Sequence, residues 1–168
     1  MQTDKLNYEF FNRNTIDVAI DLLGKKLVFN DIEGIITETE AYRGVDDPAS
    51  HAYRGPTKRS RIIFERVGYS YVYLIYGMYH CLNFITEEAG TAGAVLIRGV
   101  KLITSPHIIL DGPGKLCRHF GITREHNDID ITNNNNFYLL PGIKISSYET
   151  TPRIGINAAK DKLWRFCI

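Results

Sequence analysis

Behind Asn14, the apolar residues Ile16, Ala19, Ile20 and Leu23 recur at helical spacing. The chain therefore opens with an amphipathic helix turned to the core, capped by Asn14, carried through Asp17, Ile20 and Leu23, and stopped at Gly24. The period then shortens. Lys26 to Phe29 reads as a short strand, Asn30-Asp31 as a turn, and Gly34 to Tyr42, rich in Ile and Thr, as a second strand. Gly44, Asp46, Asp47, Pro48, Gly55 and Pro56 punctuate a loop over 44 to 60. Tyr69 to Tyr76 and Tyr79 to Ile85 read as paired strands, and Ala94 to Val100 as another. Gly112-Pro113-Gly114 opens a short helix over Lys115 to Phe120. Asn133 to Asn136 is a solvated loop, and Ile143 to Ser147, Arg153 to Ile156 and Leu163 to Phe166 are late strands. Strands outnumber helices and adjoin through short turns, with no internal repeat and no linker. The expected class is α/β in the α+β sense: one domain over 1–168, with a curved, mainly antiparallel sheet, peripheral helices and a protruding β-hairpin.

Composition supports that size and narrows the partners. At 168 residues, 44% hydrophobic and 23% charged, the chain suits one globular domain and excludes disorder. Lys plus Arg number 20 against 19 for Asp plus Glu, a net charge of +1, so a nucleic-acid partner needs a local basic patch. Cys81, Cys117 and Cys167 are too few and too scattered for a disulfide framework, and no Cys-x-x-Cys pair occurs. They read as reduced thiols of a cytoplasmic protein, and the polar Met1-Gln2-Thr3-Asp4-Lys5 lacks the apolar core of a signal peptide. Gly68 to Thr86 carries no Asp, Glu, Lys or Arg, but its tyrosines, His80 and Asn83 make it too polar for a membrane span.

Three segments invite a chemical reading. In Thr37-Glu38-Thr39-Glu40-Ala41-Tyr42 the two-residue period of a strand puts Glu38, Glu40 and Tyr42 on one face. Such a face is either solvated or a pair of like charges beside an aromatic ring, which raises a carboxylate pKa and makes a general base. Tyr71 to Asn83 reads as one hairpin, with Gly77 at the first central position of a tight turn and Tyr76, Met78 and Tyr79 at the tip. An aromatic tip needs a cover: the rest of the domain, a dimer contact, or a base stack that it enters as a wedge. Two registers are open. One pairs Tyr76 with Tyr79 and puts Tyr73 and Asn83 on opposite sides; the other pairs Tyr76 with His80 and sets Tyr73 across from Asn83. Between strand and hairpin lie Arg54, Lys58, Arg59, Arg61 and Arg66, opposed by Glu65 alone, either an ordinary basic loop or a phosphate track.

Taken together, these segments resemble the alkyladenine (3-methyladenine) DNA glycosylase family. The resemblance runs through Glu38-Thr39-Glu40-Ala41-Tyr42, Asp46-Asp47-Pro48-Ala49-Ser50-His51 and Tyr71-Val72-Tyr73-Leu74-Ile75-Tyr76-Gly77-Met78-Tyr79 with Cys81-Leu82-Asn83. It continues through Val95-Leu96-Ile97-Arg98, Gly112-Pro113-Gly114-Lys115-Leu116-Cys117 and Pro152-Arg153-Ile154-Gly155-Ile156, nearly the whole chain. It implies a monofunctional hydrolase that removes damaged purines from double-stranded DNA in base excision repair, acts as a monomer, and uses neither cofactor nor metal. It implies Glu40 as the base that activates water and Arg98 as the residue that helps hold that water. Tyr42, His51 and Tyr73 would wall the base pocket, with the His51 main-chain N–H as a donor to the base. Asn83 would crowd the 2-amino group of guanine. Tyr76 would fill the gap left in the duplex, flanked by Met78 and Tyr79. Apart from the resemblance, the basic run offers Arg54, Lys58, Arg59 and Arg61, and the start of the 115–120 helix offers Lys115, to the DNA backbone. The chain departs from the family pattern at Ser60, where Asn is usual, and at Ile63, where Met is usual.

The other patterns are bland. Cys117-x-His119 is a close Cys/His pair, as is the adjacent His80-Cys81, but neither has a second pair at zinc spacing. Gly112 to Leu116 lacks the Gly-Lys-Ser/Thr ending of a phosphate loop. Two further functions compete: hydrolysis of free nucleosides, which leaves the aromatic tip and basic run without a use, and lesion or RNA binding without catalysis.

Overall fold

The computed structural model describes residues 4–105 and 107–168. Two helices lead the chain. Asn7 caps α1 (Tyr8–Phe11), and the Asn14 side chain accepts from the Ile16 N–H to cap α2 (Thr15–Leu22). The polar cap and the apolar spacing behind it thus make α2 as the sequence predicts. Glu87 adds a second acceptor, taking hydrogen bonds from the Thr15 N–H at 2.5 Å and its hydroxyl at 2.6 Å. Asn14→Ala is expected to cost ~1 kcal/mol in urea unfolding; no change would mean that Glu87 alone holds this helix end.

Among the described residues nine strands form one sheet, and every pairing between them is antiparallel. Its spine is β2 (Ile32–Tyr42), beside β1 (Lys26–Phe29). The hairpin strands β3 (Ser70–Ile75) and β4 (Tyr79–Ile85) lead to β5 (Ala94–Leu102), which pairs with β2 along its length. A register shift between Ile36 and Thr39 divides β2. Before it, β2 pairs with β1; after it, Glu38, Glu40 and the intervening Thr39 pair with β9 (Arg165–Cys167). Beyond the shift Thr39, Glu40 and Ala41 are all buried, because both faces are covered. Thr39 donates to the Ala19 carbonyl of α2 at 2.8 Å, so the alternating Glu40 points to the opposite face.

Several late elements differ from expectation. Ile143 to Ser147 is not a strand: it passes α2 with the Ile143 N–H on the Gly24 carbonyl and no ladder, and Glu149–Thr151 instead forms β8 against β9. Arg153 to Ile156 is also irregular, because its Arg153 side chain and Ile154 N–H are spent on the interior. The strand expected at Leu163 to Phe166 lies at Arg165–Cys167. Ile109–Leu110 (β6), Phe137–Leu140 (β7), the helix α3 (Arg61–Glu65) and α1 have no counterpart in the sequence reading. The short helix α4 (Pro113–Phe120) forms as expected, with Pro113 at its first turn and Gly121 in the left-handed conformation at its end.

The hairpin takes neither of the two registers. Ile75 pairs with Tyr79, Tyr73 with Cys81 and Tyr71 with Asn83. The turn centres on Tyr76 and Gly77, with φ of +54° and +67°, and the Met78 N–H reaches the Ile75 carbonyl at 3.2 Å. Positive φ at both central positions suits the right-handed twist of the flanking strands. Gly77 therefore stands second in the turn, not first. Tyr73 and Asn83 do share a face, one pair apart.

The main core lies under α2 and α4, around Phe11, Leu22, Phe84, Ile97, Leu116 and Phe137. A smaller apolar cluster of Ala52, Ile63, Tyr71, Ile85, Ala92 and Ala94 supports the opposite side of the hairpin strands. Cys81, Cys117 and Cys167 are free thiols. No helix among the described residues is long and apolar enough to cross a membrane.

Candidate active site: an aromatic cavity over a buried carboxylate

A cavity of about 670 Å³ opens between the hairpin, the 49–51 loop, the start of α4 and the 154–156 loop. Its aromatic wall comes from β2 with Tyr42, the 49–51 loop with His51, and β3 with Tyr71 and Tyr73. Tyr71 and Tyr73 lie 5.4 Å apart along β3, and the His51 ring meets Tyr73 edge-on at 4.6 Å. The Tyr71 hydroxyl lies 3.0 Å from His51 Nδ1. Loss of water around the imidazole, then the nearby Arg59, push its pKa down to about 4, so His51 is neutral at pH 7. Burial also pushes the phenols of Tyr42 and Tyr73 far up, so both stay protonated.

Glu40 sits behind this wall, fully buried. Tyr42 donates its hydroxyl to Oε1 at 2.7 Å, and the Ile154 N–H donates to Oε2 at 2.8 Å. Arg98 Nε lies 3.7 Å from Glu40 and 3.6 Å from Glu38, beyond hydrogen-bond reach of either, and is a buried donor without a partner. Glu38 is turned toward Arg165, at 3.0 Å. Tyr42, Arg98 and Ile154 line the cavity and all three touch the Glu40 carboxylate or approach it. Burial raises the Glu40 pKa above the ordinary 4.5; the Ile154 N–H, the Tyr42 hydroxyl and the Arg98 and Arg153 charges pull it back in part. The result is a carboxylate with enhanced proton affinity one layer beneath an aromatic cavity.

Of the other residues singled out in the sequence, Asn83 lines the cavity and donates Nδ2 to the Tyr71 carbonyl at 3.2 Å. Tyr76 stands at the cavity edge, 78% exposed, and Met78 beside it is 63% exposed, so the domain does not cover the tip. Tyr79 is not a tip residue but the first of β4. It leans on the start of α4, where a Cβ on Gly114 would fall 2.8 Å from the Tyr79 ring. Arg59 and Lys115 reach the cavity, while Arg54, Lys58 and Arg61 are exposed outside it. Arg61 is paired with Glu65, Lys115 with Asp111 and Arg66 with Asp128. Ser60 faces inward and bonds the Thr57 turn, whereas Ile63 lines the cavity.

Sequence reasoning missed the ion pair behind Tyr42. Arg153 binds Asp47 through two hydrogen bonds, at 2.7 and 2.8 Å, with both side chains fully buried. Their two motif blocks offer the only signal, and within its block Asp47 reads as loop punctuation. Among the described residues no group of three or more His, Cys, Asp or Glu is placed to hold a metal.

Comparison with known proteins gives this site its family. The sequence model of the family described as methylpurine-DNA glycosylase (MPG) matches residues 9–168. A protein of Ehrlichia chaffeensis named "Putative 3-methyladenine DNA glycosylase" is 54% identical over 166 residues, covering 97% of this chain and 92% of its own. One of Rickettsia felis with the same name is 54% identical over 161 residues, covering 95% and 90%. The chain belongs to the methylpurine-DNA glycosylase family, and with it to the hydrolases that act as DNA glycosylases.

Proposed function

We propose that this protein takes an alkylated or otherwise damaged purine, of the 3-methyladenine type, out of duplex DNA and hydrolyses its N-glycosidic bond with a water activated by Glu40. The observation that carries the proposal is a proton-avid carboxylate directly behind an aromatic cavity whose edge bears an uncovered tyrosine. A base within the stack shields its sugar, so it must leave the helix, at a cost of a few kcal/mol. Tyr42, Tyr73 and His51 offer ring faces and edges to the extruded base, and Asn83 shapes the floor. Tyr76, with Met78, fills the space vacated in the duplex.

The reaction balances without a cofactor. Water attacks C1′, the C1′–N bond breaks with its electron pair going to the base, and the water proton passes to Glu40. Alkylation at ring nitrogen gives the purine a positive charge and makes it the better leaving group. Arg98, with a buried N–H free to donate, holds the water beside Glu40. With water as the nucleophile no lysine intermediate is needed, so the product is an abasic site in an unbroken strand. The unit is one glycosylase domain over 1–168, acting as a monomer in the cytoplasm.

Incubation with methylated duplex DNA tests this reading. Free 3-methyladenine and alkali-labile sites are the expected products. Release from free nucleosides alone would assign nucleoside hydrolysis, and binding without release a lesion-binding module. The backbone residues give a second expectation. Log affinity falls with log salt, and Arg54→Ala with Lys58→Ala flattens the slope by ~0.9 for each phosphate no longer neutralised. An unchanged slope in titrations removes both residues from the DNA interface.

A further inference from the structure

Two stretches of chain more than a hundred residues apart, one holding Ala41, Tyr42 and Asp47 and the other Arg153 itself, meet at one buried guanidinium. Arg153 donates twice to Asp47 and, at 2.9 Å, to the Ala41 carbonyl between Glu40 and Tyr42. It lies 4.7 Å from the centre of the Tyr42 ring and 5.1 Å from that of Trp164. Asp47 in turn accepts from the Arg43 N–H at 2.8 Å and the Ala49 N–H at 3.2 Å, fixing the loop that presents His51. The next residue along, Ile154, gives its N–H to Glu40. A bidentate pair fixes orientation as well as charge. Burying it is costly unless every part is bonded, and only Arg153 Nε is left without a partner.

We propose that Arg153, held by Asp47, is a positioning residue of the active site that keeps Tyr42 and the Ile154 N–H against the Glu40 carboxylate. The inference rests on the reading of Glu40 as the base. Arg153 does not touch the cavity; it acts through Tyr42 from behind the ring and through Ile154 along the backbone. Other groups face Glu40 from β3, β4 and β5: Tyr73 and Cys81, both neutral, and Arg98. None of these binds Arg153, so they stay in place when it is changed.

The test is the pH profile of single-turnover base release by Arg153→Met and Arg153→Lys, with folding checked by thermal melting. Losing the Ile154 N–H, the Tyr42 hydroxyl and a nearby positive charge disfavours ionised Glu40. The acid limb of the Arg153→Met profile is therefore expected to move up by about one pH unit, a ~10-fold lower rate on that limb. Lysine keeps the charge but not the three-way bonding and should recover part of the shift. A purely structural role predicts the opposite: loosening admits water to Glu40, and the limb moves down, or only the active fraction drops. Either result overturns the proposal, and should methionine prevent folding, the lysine profile decides alone by the same sign. Wild-type protein that releases no base would instead overturn the reading of Glu40 on which this rests.

Discussion

Glu40→Gln is expected to slow single-turnover base release by ~10²–10⁴-fold while affinity for lesion-containing duplex is retained. The amide fits the same place. Its oxygen can accept the Ile154 N–H, and the Tyr42 hydroxyl can rotate to accept from its NH₂. Folding should not suffer and stability at neutral pH should rise. Because burial holds the native Glu40 pKa above 4.5, its contribution to stability is fully present below the unfolded value and is lost as pH rises through the folded one. Glutamine carries no such loss. In the wild type, on the proposed mechanism in which only ionised Glu40 activates water, the same shift places the acid limb of the rate profile above pH 4.5. A variant as fast as wild type would remove Glu40 from the base role.

Tyr76→Ser should lower excision from duplex DNA by ~5–150-fold, the equivalent of one aromatic stack worth ~1–3 kcal/mol, with a smaller effect on single strands. The comparison is clean because Tyr76 is 78% exposed. The strain of a side chain at φ +54° is present before and after the exchange, so the hairpin should keep its shape and the melting temperature should hold. An equal loss on both substrates would mean that the tip contributes to the pocket rather than to extrusion. An unchanged duplex rate would mean that no stack is entered.

What is legible in the sequence follows from range. Periodicity and turn chemistry act locally, so α2, β1, most of β2 and the strands of the hairpin can be read from Asn14, Gly24 and the alternation around Tyr71 to Ile85. The turn slips because a tyrosine occupies a conformation usually left to glycine, and nothing local marks Tyr76 for that role. Arg153 to Ile156 reads as extended because its spacing is apolar, yet its hydrogen bonds go to residues more than a hundred positions away. The motif blocks locate Glu40, Tyr42 and Arg98, but not that Glu40 lies one layer behind the surface. That depth depends on β9 and the 152–156 loop, which no local pattern connects to β2.

That dependence on distant partners also sets an order in time. Glu38 to Glu40 are among the first strand residues made, but Ile154 is 114 positions beyond Glu40, and Arg165 is 127 beyond Glu38. Long-range pairing forms late and slowly. While the chain is still being synthesised, the acid is an ordinary hydrated glutamate with ordinary acidity. On the proposed reading of Glu40, the site is complete only once β9 and the 152–156 loop have docked beside β2.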